Sequence, residues 1–193
     1  MEHGLTDSGG SFSDTRSQPN IEHVAQGNFQ ISSDPALVLH AVLGACIAAC
    51  IHDPVARIGG MVHLALPAAD LDGEARFDSK PARAGSRSID RLIDGLLSEG
   101  GQRNRLEVKL FGGGNMVKGV SGIGHKNADF IERWMGDRKL PVASRHLRGH
   151  CARRIEYTPV TGRGRLMTIT GDLTQKIHLE EWLAAQSRAP TTA

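Results

Sequence analysis

Apolar residues along this chain fall at two spacings, one suited to strands and one to helices. The longest apolar stretch, Leu43 to Pro67, reads LGACIAACIHDPVARIGGMVHLALP. Within it Cys46–His52 and Ile58–Leu66 are each long enough for a strand, and Asp53-Pro54 starts a turn because proline presets φ. This predicts a β-hairpin with a loop of about five residues. Upstream, Ile21–Ala25 and Asn28–Ser32 read as short strands on either side of Gln26-Gly27. Leu37–Leu43 is apolar and runs into a Gly44-Ala45-Cys46 bend.

The helical spacing occurs twice. Ile89, Leu92, Ile93, Leu96 and Leu97 form one stripe, predicting a helix over about Ser86–Ser98 that Gly100-Gly101 ends. Phe130, Ile131, Trp134 and Met135 form another, over about Lys126–Gly136, with Asn127 as a candidate N-cap. Between them Leu106, Val108 and Leu110 alternate with charged residues, as in a half-buried strand. Arg154–Thr158 and Arg165–Thr170 predict a second hairpin around Thr161-Gly162, and Leu173–Ala185 a short helix. Leu71–Ala84 is polar and aperiodic, and reads as a surface loop.

These elements define the expected fold class: a mixed α/β layered sandwich of mostly antiparallel strands with two main helices packed on the sheet. Met1–Asn20 and Gln186–Ala193 have almost nothing to bury and are expected to be a disordered leader and tail. That leaves one domain over residues 21–185. Composition narrows the function classes. Net charge is only +2 from 23 basic and 21 acidic residues, so nothing in the total favours nucleic acid or a membrane surface. Three cysteines form no disulfide framework, and there is neither a signal peptide nor an apolar run of roughly 18 residues. The reading is a cytoplasmic protein without membrane insertion.

The first hairpin also carries a chemical expectation. If its loop centres between Val55 and Ala56, Ala48 lies opposite His63, and Cys46 sits diagonally from that histidine on the same face. Diagonal neighbours are roughly 7–8 Å apart. An imidazole at that range shifts a thiol toward the thiolate, the minimum for nucleophilic attack on an amide. A register slip of one residue would separate the pair, and core filling is the plainer use of both side chains.

The residues that settle the choice at sequence level are longer motifs. LGACIAACIHDP followed by IGGM-x-H-x-x-LP resembles the CheD family of chemoreceptor glutamine deamidases, whose hallmark reads LGSCVAxCxxDP…GGMxHxxLP. Gly85-Ser86-Arg87-Ser88-Ile89, Lys109 to Met116 (KLFGGGNM), Ile123 to Asn127 (IGHKN) and Arg153 to Tyr157 (RRIEY) agree in order, so the likeness spans about Ile21 to Ile169. The resemblance implies a fold shared with other cysteine hydrolases and conversion of receptor glutamines to glutamate through a Cys46 thioester, with His63 as base. It implies chemoreceptor helices as substrate, a CheC-type chemotaxis phosphatase as a further partner, and no cofactor. The family places a threonine six residues before the cysteine as a third catalytic member; His40 stands there, and a histidine can orient or hydrogen-bond in its place. Ala45 replaces the family's serine. His146 and Arg148-Gly149 fall where the family has an aspartate and a Gly-Gly.

Other readings of the same residues are weaker. Zinc held by Cys46, Cys50, His52 and His63 fails on a strand, where Cys46 and Cys50 would be roughly 13 Å apart. The same separation opposes a Cys46–Cys50 redox pair. Cys50 is then core and His52 a solvent-facing turn residue. Gly112-Gly113-Gly114-Asn115 lacks the residues of a phosphate loop and reads as a tight turn near the site. Arg138–Arg154 is a basic loop without interleaved aromatics, better suited to steering toward an acidic helix than to nucleic acid. A docking module without turnover is the alternative function, motivated by His40, Ala45 and His146.

Overall fold

The computed structural model describes residues 20–64, 80–116 and 122–169, together with residue 177. Along the chain run β1 (Asn20–His23), β2 (Phe29–Ser32), β3 (Leu37–Leu43), β4 (Ile47–Asp53), β5 (Ile58–Leu64), α1 (Lys80–Ser98), β6 (Glu107–Gly112), α2 (Ile123–Asp137), β7 (Val142–Leu147), β8 (Ala152–Thr158) and β9 (Arg163–Ile169). The strands form two sheets, ordered β1-β3-β8-β9 and β2-β5-β4-β6-β7. Only β1·β3 and β6·β7 pair in parallel.

Three layers result. Leu39, Leu43, Ile155 and Tyr157 of the four-stranded sheet meet Ala48, Cys50, Met61 and Phe111 of the five-stranded one. On the other side of that second sheet, Ile47, Ile51, Val62 and Val108 pack against Ile89, Leu92 and Leu96 of α1 and Ile131 and Trp134 of α2. The five-stranded sheet is therefore covered on both faces. This is why β4 and β5 read as unbroken apolar runs rather than alternating ones: every residue in both is buried. The layered α/β sandwich expected from the sequence is present, with a second sheet added to it. No helix among the described residues is long and apolar enough to cross a membrane.

Several expectations are corrected. Helix α1 begins at Lys80, so residues 80–84 are helical rather than loop; they carry no apolar stripe, but Lys, Arg and Ala are strong helix formers and proline is tolerated in a first turn. Helix α2 starts at Ile123, and Asn127 lies inside it rather than capping it. The stretch read as a basic loop holds β7, an edge strand too exposed to show alternation. His52 is buried at 7% exposure rather than facing solvent, and its ring packs under Gly162. The expected leader ended at Asn20, but Asn20 opens β1; the rest of that leader, most of the polar loop, and the last predicted helix and tail, residue 177 apart, lie outside the described residues.

The hairpin register is the predicted one: Ala48 pairs with His63 and Asp53 with Ile58. Asp53 does more than start the turn. Its Oδ1 accepts the N–H groups of Val55 and Ala56, each at 2.9 Å, and Oδ2 accepts that of Gln102 at 2.8 Å. Arg105 closes an ion pair with it at 2.8 Å. The hairpin tip is thus tied to the segment after α1. Burial alone would raise the Asp53 pKa, but the Arg105 hydrogen bonds and the three backbone donors outweigh it and hold the carboxyl well below its ordinary range. With the folded value below the unfolded one, the stabilisation is complete above 3.8 and fades as pH falls from there toward the folded value. Asp53→Asn is expected to cost about 2 kcal/mol at neutral pH, discounted because Arg105 is partly exposed. Urea denaturation taken from neutral pH down through 3.8 should show the wild type losing this contribution while the variant has none to lose.

Candidate active site

Cys46 sits where the chain leaves one sheet for the other, in the bend between β3 and β4. Three consecutive carbonyls of that bend are held. The Gly44 oxygen accepts from the Gly114 N–H, and the Cys46 oxygen from the Gly113 N–H, both at 2.8 Å. The Ala45 oxygen accepts from the Asn127 side-chain amide at 2.8 Å. The glycine turn after β6 is therefore a clamp on the cysteine. Gly112 has φ +110°, and a Cβ there would run into the Cys46 carbonyl, so only glycine fits. Asn115 then reaches forward, its Oδ1 accepting the Gly124 N–H at 3.1 Å and satisfying an open donor of the first turn of α2.

Cys46 and His63 share a face. Cys46, Ala48, Cys50 and Met61 all belong to the interior between the sheets, whereas Ile47, Ala49, Ile51, Val62 and Leu64 belong to the helix side. His63, opposite Ala48 and two residues from Met61, thus points the same way as Cys46. Both are nearly buried, at 3% and 4% exposure. Nδ1 of His63 lies 3.0 Å from the Val24 carbonyl oxygen. A carbonyl only accepts, so Nδ1 carries the proton, and in the neutral ring the lone pair is on Nε2. The connector between β1 and β2 also pins the His63 backbone: Gly27 donates to its oxygen at 2.6 Å, and its N–H donates to Asn28 at 3.0 Å.

His40 is placed differently from Cys46 and His63. It alternates outward from Leu39 and Ala41, and its ring lies 4.8 Å from that of His23 on the far face of the four-stranded sheet. Burial, then the neighbouring His23 and Arg154, push its pKa down. Its carbonyl, however, accepts the Val24 N–H at 2.9 Å, one peptide away from the oxygen that holds His63. Cys50 lies deep between the sheets, where burial pushes its thiol pKa up, the wrong direction for a reactive sulfur. None of the cysteines is in a disulfide.

Three residues next to the site were not recognised as part of it in the sequence reading. Val24 acts through its main chain, which leaves no side-chain signal. Asn127 lies on an otherwise apolar helical face, a buried amide that could have been flagged. Arg153 is the third. It lies 3% exposed behind the glycine turn, donating from Nε to His146 Nδ1 at 2.9 Å, from Nη1 to the Cys151 carbonyl at 3.0 Å and from Nη2 to the Arg148 carbonyl. It thereby holds a strap over residues 147–151. The Arg148 N–H donates to Gly112 and the Asn115 N–H to Gly149, while the Arg148 side chain grips Asp129 and Glu132 of α2. Arg145 also pairs with Glu132, and Arg138 stacks on Trp134, so much of the basic stretch is spent inside the fold.

This clamped thiol and oriented imidazole occur in a chain whose residues 65–168 match the family model described as CheD chemotactic sensory transduction. Among the relatives, a "Probable chemoreceptor glutamine deamidase CheD" of Rhodopseudomonas palustris is 45% identical, over 82% of this chain and 74% of its own length. A protein of the same name from Rhizobium etli is 40% identical, over 89% of this chain and 92% of its own. One from Caulobacter sp. is 43% identical, over 78% of each. The chain belongs to the CheD family.

The clamp can be tested apart from any reaction. Asn127→Ala removes the side-chain amide that donates to the Ala45 carbonyl and is expected to cost about 1 kcal/mol. At roughly 2–4 °C per kcal/mol for a chain of this size, thermal melting followed by circular dichroism should resolve the loss.

Proposed function

We propose that this protein hydrolyses the side-chain amide of chemoreceptor glutamines to glutamate, with Cys46 as nucleophile and His63 as its base. The observation that carries the reading is the His63–Val24 hydrogen bond, which leaves Nε2 basic on the face shared with Cys46. The family's named deamidases supply the substrate class. In the first half-reaction His63 Nε2 takes the thiol proton and the sulfur attacks the amide carbon. His63 then returns that proton to the leaving ammonia, and a thioester remains. Water, activated by the same nitrogen, hydrolyses the thioester to a carboxylate and restores the thiol.

His40 joins this machinery through its backbone, by fixing the Val24 peptide that fixes His63. The near burial of Cys46 and His63 suits a glutamine, whose slender side chain can thread inward where a peptide backbone cannot. Each turnover leaves a new negative charge on a receptor helix, a local electrostatic change fit for signalling. The reading places the protein in the cytoplasm, where thiols stay reduced. It also carries a CheC-type chemotaxis phosphatase as a binding partner, which pull-down with the purified phosphatase tests.

The central test is mass spectrometry of a receptor cytoplasmic fragment incubated with wild-type protein, Cys46→Ala and His63→Ala. Wild type should add the amide-to-acid mass gain at specific glutamines, Cys46→Ala none, and His63→Ala should be slower by about 100- to 10,000-fold. Equal receptor binding by wild type and Cys46→Ala with no mass gain from either would mean a docking module instead.

A further inference from the structure

Arg153 presents an electrostatic anomaly. It is a buried guanidinium whose partners, the His146 imidazole and the carbonyls of Cys151 and Arg148, are all uncharged. Its Nε donates to His146 Nδ1, so that nitrogen is unprotonated and the ring is neutral. A buried charge without a counter-charge is costly unless an anion forms beside it. Asp129 and Glu132 of α2 are taken by Arg148 and Arg145, and Glu156 of β8 pairs with Arg154.

The position of the charge indicates which anion it serves. Arg153 is paired in register with Leu43, three residues before Cys46. Its Nη1 lies 3.3 Å from where a Cβ on Gly114 would be, and Gly114 holds the Gly44 carbonyl of the nucleophile's bend. The titratable groups on the elements packed round this bend include His63 on β5, His146 on β7, His125, Lys126, Asp129 and Glu132 on α2, and His150 and Cys151 on the strap. With Asp129 and Glu132 paired to Arg148 and Arg145, the groups of this set and the bend that can form a new anion are the thiols of Cys46 and Cys151. Cys151 is partly exposed, whereas Cys46 is buried in the bend that the Gly113 and Gly114 N–H groups hold.

We propose that Arg153 is a positioning residue that braces the Gly112–Gly114 clamp and supplies the uncompensated positive charge that favours the Cys46 thiolate. His146 is part of the same device, because a neutral acceptor holds the guanidinium without cancelling it. The inference deepens the reading of Cys46 as nucleophile and rests on it.

Its test needs no receptor, so its failure is distinguishable from a failure to deamidate. In a Cys151→Ser background, which removes the more exposed thiol and leaves Cys46 and the deeply buried Cys50, the rate of iodoacetamide alkylation at Cys46, located by peptide mapping, is followed against pH and its midpoint read, alongside thermal melting. Arg153→Met and His146→Asp, the second placing a carboxylate against the guanidinium, should raise the midpoint by about one pH unit. Arg153→Lys, which keeps charge and loses the planar fork, should lower the melting temperature while its midpoint stays within a few tenths of a unit of the parent. A merely structural role would move melting and leave every midpoint in place. Should Arg153→Met fail to fold, His146→Asp decides: a parental midpoint in that variant overturns the proposal.

Discussion

One main-chain carbonyl, that of Val24, joins the two sheets at the point where chemistry is possible. Its oxygen accepts a hydrogen bond from His63 Nδ1–H of the five-stranded sheet, and the N–H of the same residue donates to the His40 carbonyl of the four-stranded one. Buried polar groups must find partners, and a ring nitrogen bonded to a carbonyl can only be the protonated one. The packing of the sheets and the tautomer of the His63 ring are therefore one constraint. A shift of either sheet that broke it would leave a buried imidazole without its orientation.

The cysteine is held by a comparable logic from the other side. Its bend has to leave β3 and enter β4 within three residues, which strips the carbonyls of Gly44, Ala45 and Cys46 of regular strand partners. The glycine turn after β6 and the Asn127 amide supply replacements. Around this clamp lies a further shell, the strap over residues 147–151, tied to α2 by Arg148 and to the interior by Arg153. In the role proposed for Arg153, substitutions in this shell act on the sulfur without touching it.

The three-layer arrangement explains why such a site can be nearly dry. A sheet covered on one side by helices and on the other by a second sheet gives low polarity at both faces of β4 and β5, and ions and dipoles there act on each other with little screening. Asp53, itself fully buried, shows that effect as stability at the far end of the hairpin, moderated by the partly exposed Arg105. The thiol and imidazole at the near end show it as reactivity, in the function proposed for them.

Much of this was legible in the chain alone, wherever the determinant was local. The 3.6-residue stripes placed the cores of α1 and α2, Asp53-Pro54 marked the hairpin turn, and the period-two geometry of a strand put residues 46 and 63 on one face once the loop length was guessed. Long motifs pointed to the family. What stayed hidden was decided by partners distant in sequence. His52 looked like a turn residue because only the fold brings residue 162 over it, and β7 showed no alternation because this edge strand is exposed between its partly buried ends, Val142 and Leu147. Val24 and His40 contribute through backbone atoms that every residue possesses, and the neutral surroundings of Arg153 are assembled from β7, β8 and the strap. Side-chain pattern reports which face of an element is buried; which groups meet inside, and with what charge, depends on contacts that only the folded chain brings together.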